Sequence, residues 1–212
     1  MHASVGQIFP TFSKEFEGYV HWMYLDVLGL VTTGVGNLID SVPAAVALPF
    51  KDKAGNKASA AQISAEWTKL KAMKELAKKG HRACEAVTEL RLTDADIDAL
   101  VRQRLALNEA HLVTVFPDWA TWPADAQLAV HSMSWAMGPA FSPQWPKFTA
   151  ACRARDWSAA AADCRMREVS KTGVPNPGVV PRNDANQRCL NNAHAVEARG
   201  LPLNELIYPS AR

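Results

Sequence analysis

The chain has 212 residues, of which 48% are hydrophobic and 21% charged, with a formal net charge of +2. This composition fits one folded globular domain, or a domain with a subsidiary lobe, and excludes a disordered chain. The charge is too even for nucleic-acid binding, which calls for a concentrated basic patch, and no apolar run reaches the roughly 18 residues of a membrane span.

Val5, Ile8, Phe9, Phe12 and Phe16 recur at helical intervals and predict an amphipathic first helix over residues 4–17. Pro10 should kink or divide it, and Gly18 should turn the chain away, leaving Glu17 at the helix end. From Tyr24 to Ile39 the short alternations of Val, Leu, Ile, Thr and Gly read as a β-hairpin or meander, with turns near Leu28-Gly29 and Gly34–Gly36. A second hairpin is expected over Ala47–Ala58, turning at Ala54-Gly55-Asn56. Ser59-Ala60-Ala61-Gln62 offers a capping box for a helix striped by Ile63, Trp67, Leu70 and Ala77 and stopped at Gly80.

Residues 81–92 read as irregular. Thr93-Asp94-Ala95-Asp96 opens the next helix, which Ile97, Leu100, Val101, Leu105, Leu112 and Val115 line. Ala124–Met137 is a strongly apolar helix central to the core. Phe148–Arg153 and Trp157–Arg167 read as short helices, Gly173–Pro181 as a loop, and Arg182–Ala198 as the last helix. The fold class is therefore α+β, mostly helical with a small β lobe near the N-terminus. The densest basic stretch, Lys69–Arg82, reads as a solvated helix face.

Cys84, Cys152, Cys164 and Cys189 lack the CxxC pairs of a zinc site. They are either buried small hydrophobes or one or two disulfides, with Cys152 and Cys164 the best candidate pair. His21 reads as a surface residue and His131 as a hydrogen-bonded core histidine.

Glu17, Asp26 and Thr32 stand nine and six residues apart, with Gly34 and Gly36 just beyond. Hydrolysis of a glycosidic bond needs a proton for the leaving oxygen and a group on the other side of the sugar. Glu17, packed against Phe16 and Tyr19, would keep its proton as general acid. Asp26, in the more polar β lobe, would stay ionised and orient a water that Thr32 helps to hold. The glycines would let backbone approach a sugar closely. On these residues alone, a solvated helix-end carboxylate and a turn aspartate remain the alternative.

The run from Glu17 to Gly36 resembles the active-site signature of the phage-type (T4-like) lysozyme family, in which a Glu, an Asp and a Thr recur at these offsets before Gly-x-Gly. Phe116-Pro117-Asp118-Trp119 and Pro123–Ala129 are similar to the approach to the family's central helix. Ser132–Pro139 is similar to that helix's end, and Gly178–Asn186 to the family's closing stretch. The resemblance implies a lysozyme-like fold, one domain over residues 1–212, with a β-containing lobe at about 18–60, a helical part at about 1–17 and 61–212, and a cleft between the lobes. It implies a peptidoglycan hydrolase, an N-acetylmuramidase that cleaves the β-1,4 bond from N-acetylmuramic acid to N-acetylglucosamine with inversion. Glu17 would be the acid, Asp26 would position the water and Thr32 would assist. No cofactor and no metal are implied, and the mildly basic charge suits an anionic wall.

Departures from the family pattern are Asn37 where His is frequent, Ala136 where Asn or Gln is frequent, and Asn183 and Asn186 in place of an Arg and a Glu. The segment Ser41–Leu92 is also longer than the family's minimal form. Tyr24 would border the cleft or pack on the lobe. Asn37 is an expected substrate contact. Trp135 would stack on a sugar or sit in the core, and Arg182 would meet a muramyl carboxylate or lie at a helix start. Other readings are a lytic transglycosylase and a non-catalytic glycan-binding module. Met1-His2-Ala3-Ser4-Val5 lacks a secretory signal pattern. The expected route to the periplasmic wall is thus holin-dependent release, as for an endolysin, or a secretion machine, as for an antibacterial effector. Expected partners are peptidoglycan strands and, for an effector, a dedicated inhibitor protein; the expected state is a monomer without nucleic acid.

Overall fold

A computed structural model describes residues 1–169, 173 and 178–208 of the chain. Its elements are α1 (Ala3–Lys14), β1 (Val20–Leu25), β2 (Val31–Gly34), β3 (Asn37–Leu38), α2 (Val42–Val46), α3 (Ala60–Ala72), α4 (His81–Glu85), α5 (Asp94–Val115), α6 (Ala124–Met137), α7 (Pro146–Arg153), α8 (Trp157–Asp163) and α9 (Val179–Ala198). The α+β class holds: the described residues are mostly helical, with one antiparallel sheet in the order β1-β2-β3. The chain divides into two compact units, Glu17–Val101 and Met1–Phe16 with Arg102–Arg212. The unit carrying the sheet thus extends past the expected 18–60, because α3 and α4 pack on β1.

In the Glu17–Val101 unit the hairpin forms as its alternation predicts, although β1 begins four residues earlier, at Val20. Its inward side chains Val20, Met23, Leu25, Val31 and Val35 are fully buried. β1 carries a bulge between Val20 and Tyr24, and the Thr33 hydroxyl holds it by donating to the carbonyls of Trp22 at 3.1 Å and Val20 at 3.5 Å. The expected second hairpin is reduced to an isolated bridge, Lys51 to Lys57, around a turn in which Asp52 accepts from the Ala54 and Asn56 amides. Ahead of it, residues 42–46 form the short α2, capped by Ser41, a helix not expected from the sequence.

The capping box at Ser59 and Gln62 forms in full. The helix it starts ends at Ala72, before the Gly80 expected to stop it, and a 3-10 turn covers Lys74–Lys78. The stretch expected to be irregular contains α4. Thr93 and Asp96 cap α5 reciprocally, the Thr93 amide donating to Asp96 Oδ2 at 2.9 Å and the Asp96 amide to Thr93 Oγ1 at 3.3 Å.

In the other unit α1 runs unbroken through Pro10 and stops at Lys14. Every residue of α6 from Ala124 to Trp135 is buried, with α1 and α9 packed on it. An aromatic cluster adjoins it: Trp122 lies 4.8 Å from Phe116, 5.1 Å from Trp119 and 4.9 Å from Trp157, centroid to centroid. Such pairs contribute about 0.5–1.5 kcal/mol each beyond their buried area. Asn183 Oδ1 accepts from the Met166 amide and its Nδ2 donates to the Met166 carbonyl, both at 2.8 Å, an amide clamp that ties α9 to the segment after α8. α9 begins at Val179, three residues early. Of the expected Gly173–Pro181 loop, residues 174–177 lie outside the described residues. All four cysteines are buried free thiols, and burial raises the thiols of Cys152, Cys164 and Cys189, which makes them poor nucleophiles.

His131 is a core residue, edge-on to Trp119 at 5.1 Å, but neither ring nitrogen has a hydrogen-bond partner among the described residues. This corrects the expected hydrogen-bonded histidine: its surroundings are aromatic faces, which offer no acceptor. Burial lowers its pKa to about 3. Below about pH 6.5 the unfolded chain therefore protonates this ring while the folded chain does not. Stability is full above that pH and is lost as pH falls. Between pH 7 and 5 the unfolding free energy should drop by about 2 kcal/mol from this group. Denaturant titration at both pH values should show the drop, and His131→Phe should abolish it; an unchanged slope in the variant contradicts the assignment.

Candidate active site

Glu17, Tyr24, Asp26 and Thr32 all belong to the Glu17–Val101 unit. Glu17 is not at a helix end, as the periodicity suggested, but in a bend three residues beyond α1. The helix closes early because the Glu15 and Phe16 amides bond back to Phe12 and Ser13 with tightened i→i−3 geometry. Gly18 follows, at a point where a Cβ would stand 3.3 Å from Val20 Cγ2, and the chain then enters β1.

Asp26 comes directly after β1 and builds the turn to β2. Its Oδ1 accepts from the amides of Leu28 at 2.8 Å and Leu30 at 2.9 Å. The backbone closes the same turn, the Asp26 amide donating to Leu30 O and the Gly29 amide to Asp26 O, each at 2.9 Å. Lys71 of α3 pins the turn from outside, donating to Gly29 O at 2.9 Å and to Asp40 Oδ1 at 2.6 Å, and that oxygen also accepts the Val31 amide. One Asp26 oxygen is thereby fixed as an acceptor of two N–H groups, while Oδ2 takes no hydrogen bond among the described residues.

Tyr24 and Thr32 are Cα partners across the β1–β2 pair, so their side chains share one face of the sheet. Thr32 is 5% exposed and its hydroxyl donates to Leu30 O at 3.3 Å, which leaves its lone pairs to accept. The Tyr24 phenol is pushed up to about 12, first by burial and then by the carboxylates of Glu17 and Asp26. It therefore remains a protonated donor within the field of both carboxylates.

Asn37 pairs with Thr33, which places it on the sheet face opposite Thr32. Its Oδ1 is buried without a hydrogen-bond partner among the described residues and stands 3.2 Å from where a Gly34 Cβ would lie. Gly34 has φ +62°, so both its backbone and its neighbour require glycine. The expected substrate contact at Asn37 thus lies on the buried side of the hairpin.

Trp135 and Arg182 belong to the other unit. Trp135 is 3% exposed, with the Arg104 guanidinium 4.0 Å from its ring centroid and Phe9 at 5.3 Å. An open stacking platform is therefore not what this ring provides, and its core alternative holds, because Arg104 and Phe9 occupy the room a sugar would need. Arg182 is also 3% exposed; it donates to Ser132 O at 3.2 Å and lies 5.1 Å from the Phe16 ring. That places it inside the packing of α9 against α6. His21 is half-buried and bonded to Asp94 Oδ1 at 2.7 Å.

Two residues beside Tyr24 were not singled out in the sequence. Trp22 shares its alternation on β1, and that spacing was the available signal. His81 arrives from α4, its ring 6.0 Å from Tyr24 and 6.1 Å from Trp22; nothing local to residue 81 announces it.

No family model matches the chain, and no curated protein matches it either. Among the described residues no helix is long and apolar enough to cross a membrane.

Proposed function

We propose that the chain is a peptidoglycan hydrolase, an N-acetylmuramidase cleaving the β-1,4 bond from N-acetylmuramic acid to N-acetylglucosamine with inversion. The observation that carries this reading is the convergence on Tyr24: one phenol feels both the Glu17 and the Asp26 carboxylates and lies across the sheet pair from Thr32. Two carboxylates with a hydroxyl beside one of them are the working parts of water-mediated glycoside hydrolysis.

In this mechanism the Glu17 carboxyl gives its proton to the glycosidic oxygen as the C–O bond breaks. A water held by Asp26 Oδ2 and accepted into place by Thr32 attacks the anomeric carbon from the opposite face, passing its proton to Asp26. The cycle closes when Asp26 releases the proton it took from the water to solvent and Glu17 regains one from solvent. Asp26 suits an orienting base because its other oxygen is anchored by two amides, so the carboxylate is held at one angle. No cofactor or metal enters these steps. The setting we infer is the bacterial wall, reached by holin-dependent release or by a secretion machine.

Asp26 separates structure from chemistry. Asp26→Asn keeps an oxygen for the Leu28 and Leu30 amides but loses the charge and the base. Release of soluble reducing fragments from purified peptidoglycan should fall about 100-fold or more, with Tm little changed. A folded wild-type chain that releases nothing, or a fully active Asp26→Asn, would sink the reading.

A further inference from the structure

The chemistry proposed above leaves one row of aromatic rings in the Glu17–Val101 unit without a role. Trp22 and Tyr24 are two residues apart on β1, and the His81 ring meets both, tilted 35° to Trp22 and edge-on at 66° to Tyr24. Trp22 Nε1 donates to His81 O at 2.9 Å, which ties α4 to the strand. Arg91 braces Trp22 with its guanidinium 5.4 Å from the ring centroid. His81 Cε1 stands 4.0 Å from where a Cβ on Gly18 would point, directly beside the residue that follows Glu17.

These rings differ from the buried aromatic core of the chain in exposure, and two of them differ from Tyr19, His21 and Trp67 in their polar atoms. Phe9, Phe50, Phe116, Trp119, Trp122 and Trp157 are at most 1% exposed, whereas Trp22, Tyr24 and His81 are all partly open to solvent. Tyr24 and His81 also keep side-chain polar atoms uncommitted, while the Trp22 indole N–H donates to His81 O. Tyr19 bonds Asp94 and Asp98, His21 bonds Asp94, and Trp67 bonds Ile39 O. By contrast, the Tyr24 hydroxyl and the His81 ring nitrogens take no hydrogen bond among the described residues.

We propose that Trp22, His81 and Tyr24 form a wall that binds an N-acetylhexosamine ring next to the bond that is cleaved. The proposal rests on the muramidase reading. A pyranose has an apolar C–H face and a polar rim. The tilted, partly exposed rings of Trp22 and His81 match the face, and the Tyr24 hydroxyl and His81 nitrogens match the rim. The wall supplies the stacking surface that the sequence suggested for Trp135, and it does so from the unit that holds both carboxylates.

The test uses soluble, uncrosslinked N-acetylglucosamine–N-acetylmuramic acid oligomers and the full chain. Calorimetric titration into Glu17→Gln measures binding without turnover, and adding His81→Ala to it should weaken Kd about tenfold. His81→Phe, which retains a ring, should recover most of that loss. In the otherwise wild-type chain His81→Ala should raise KM about tenfold with kcat little changed, a split that general destabilisation does not produce. If His81→Ala does not fold, the titration is followed by NMR in Glu17→Gln alone, where the Trp22 indole and His81 ring signals should shift with oligomer. Wild-type cleavage with an unaltered Kd and KM in folded His81→Ala, or unshifted signals at saturation, overturns the wall alone. Neither binding nor cleavage by the wild-type chain overturns the muramidase reading and the wall with it.

Discussion

Glu17→Gln should yield a folded chain whose peptidoglycan cleavage falls about 1000-fold or more, within the range of general-acid losses. The amide matches the carboxyl in size and cannot deliver a proton to the leaving oxygen. Glu17 lies in a bend outside any helix or strand, so the unfolding free energy should move by no more than about 1 kcal/mol. Rate and stability are therefore separable at this position. Initial rates of fragment release, with a denaturant titration of the same preparations, provide the check. A variant keeping a tenth of wild-type activity contradicts the assignment of the acid.

The largest loss of stability should come from Asp125→Ala. This carboxylate is fully buried at the start of α6 and accepts from Asn192 Nδ2 at 2.9 Å and from the amides of Ile207 at 2.8 Å and Tyr208 at 3.1 Å. Burial pushes its pKa up despite those three donors. Alanine removes the acceptor and leaves three donors stranded, each costing about 1–3 kcal/mol if no water replaces it. With partial hydration we expect a loss of about 3–5 kcal/mol, read by chemical denaturation. Hydrogen exchange at Ile207 and Tyr208 should accelerate, since their amides lose the Asp125 acceptor. A change under 1 kcal/mol with unaltered exchange contradicts this role.

The hairpin around Asp26 was legible in the sequence because its signals are local: alternation, a turn aspartate, and glycines where φ is positive. The Ser59–Gln62 box and the run Ala124–Met137 were legible for the same reason. What depended on tertiary packing was not. Glu17 was expected at a helix end because apolar periodicity continues to Phe16, yet the helix closes two residues before that ring. Trp135 lies on a helix buried all round, and periodicity alone does not separate a core tryptophan from one facing a ligand. His131 was expected to find a partner, but the faces turned toward it are aromatic. Asn37 follows a glycine turn, and only the strand register shows that it shares the face of Thr33 rather than that of Thr32.

The candidate site has the same character. Asp26 and Thr32 are joined by a hairpin short enough to read, whereas His81 reaches Tyr24 from 57 positions along the chain. The segment Ser41–Leu92, longer than the resembled family's minimal form, carries both that histidine and the Lys71 that pins the Asp26 turn. Much of what shapes this unit around its two carboxylates therefore comes from the part of the chain that the signature does not cover.

The central claim, water-dependent cleavage by Glu17 and Asp26, is tested most directly by the chemistry of the new chain ends. Purified peptidoglycan digested with the wild-type chain is reduced with borohydride and its fragments are weighed by mass spectrometry. Reducible N-acetylmuramic acid ends, absent after digestion with Glu17→Gln, are the predicted result. Ends carrying 1,6-anhydro-muramic acid would instead show a transglycosylase that uses no water, and would contradict the roles given to Asp26 and Thr32.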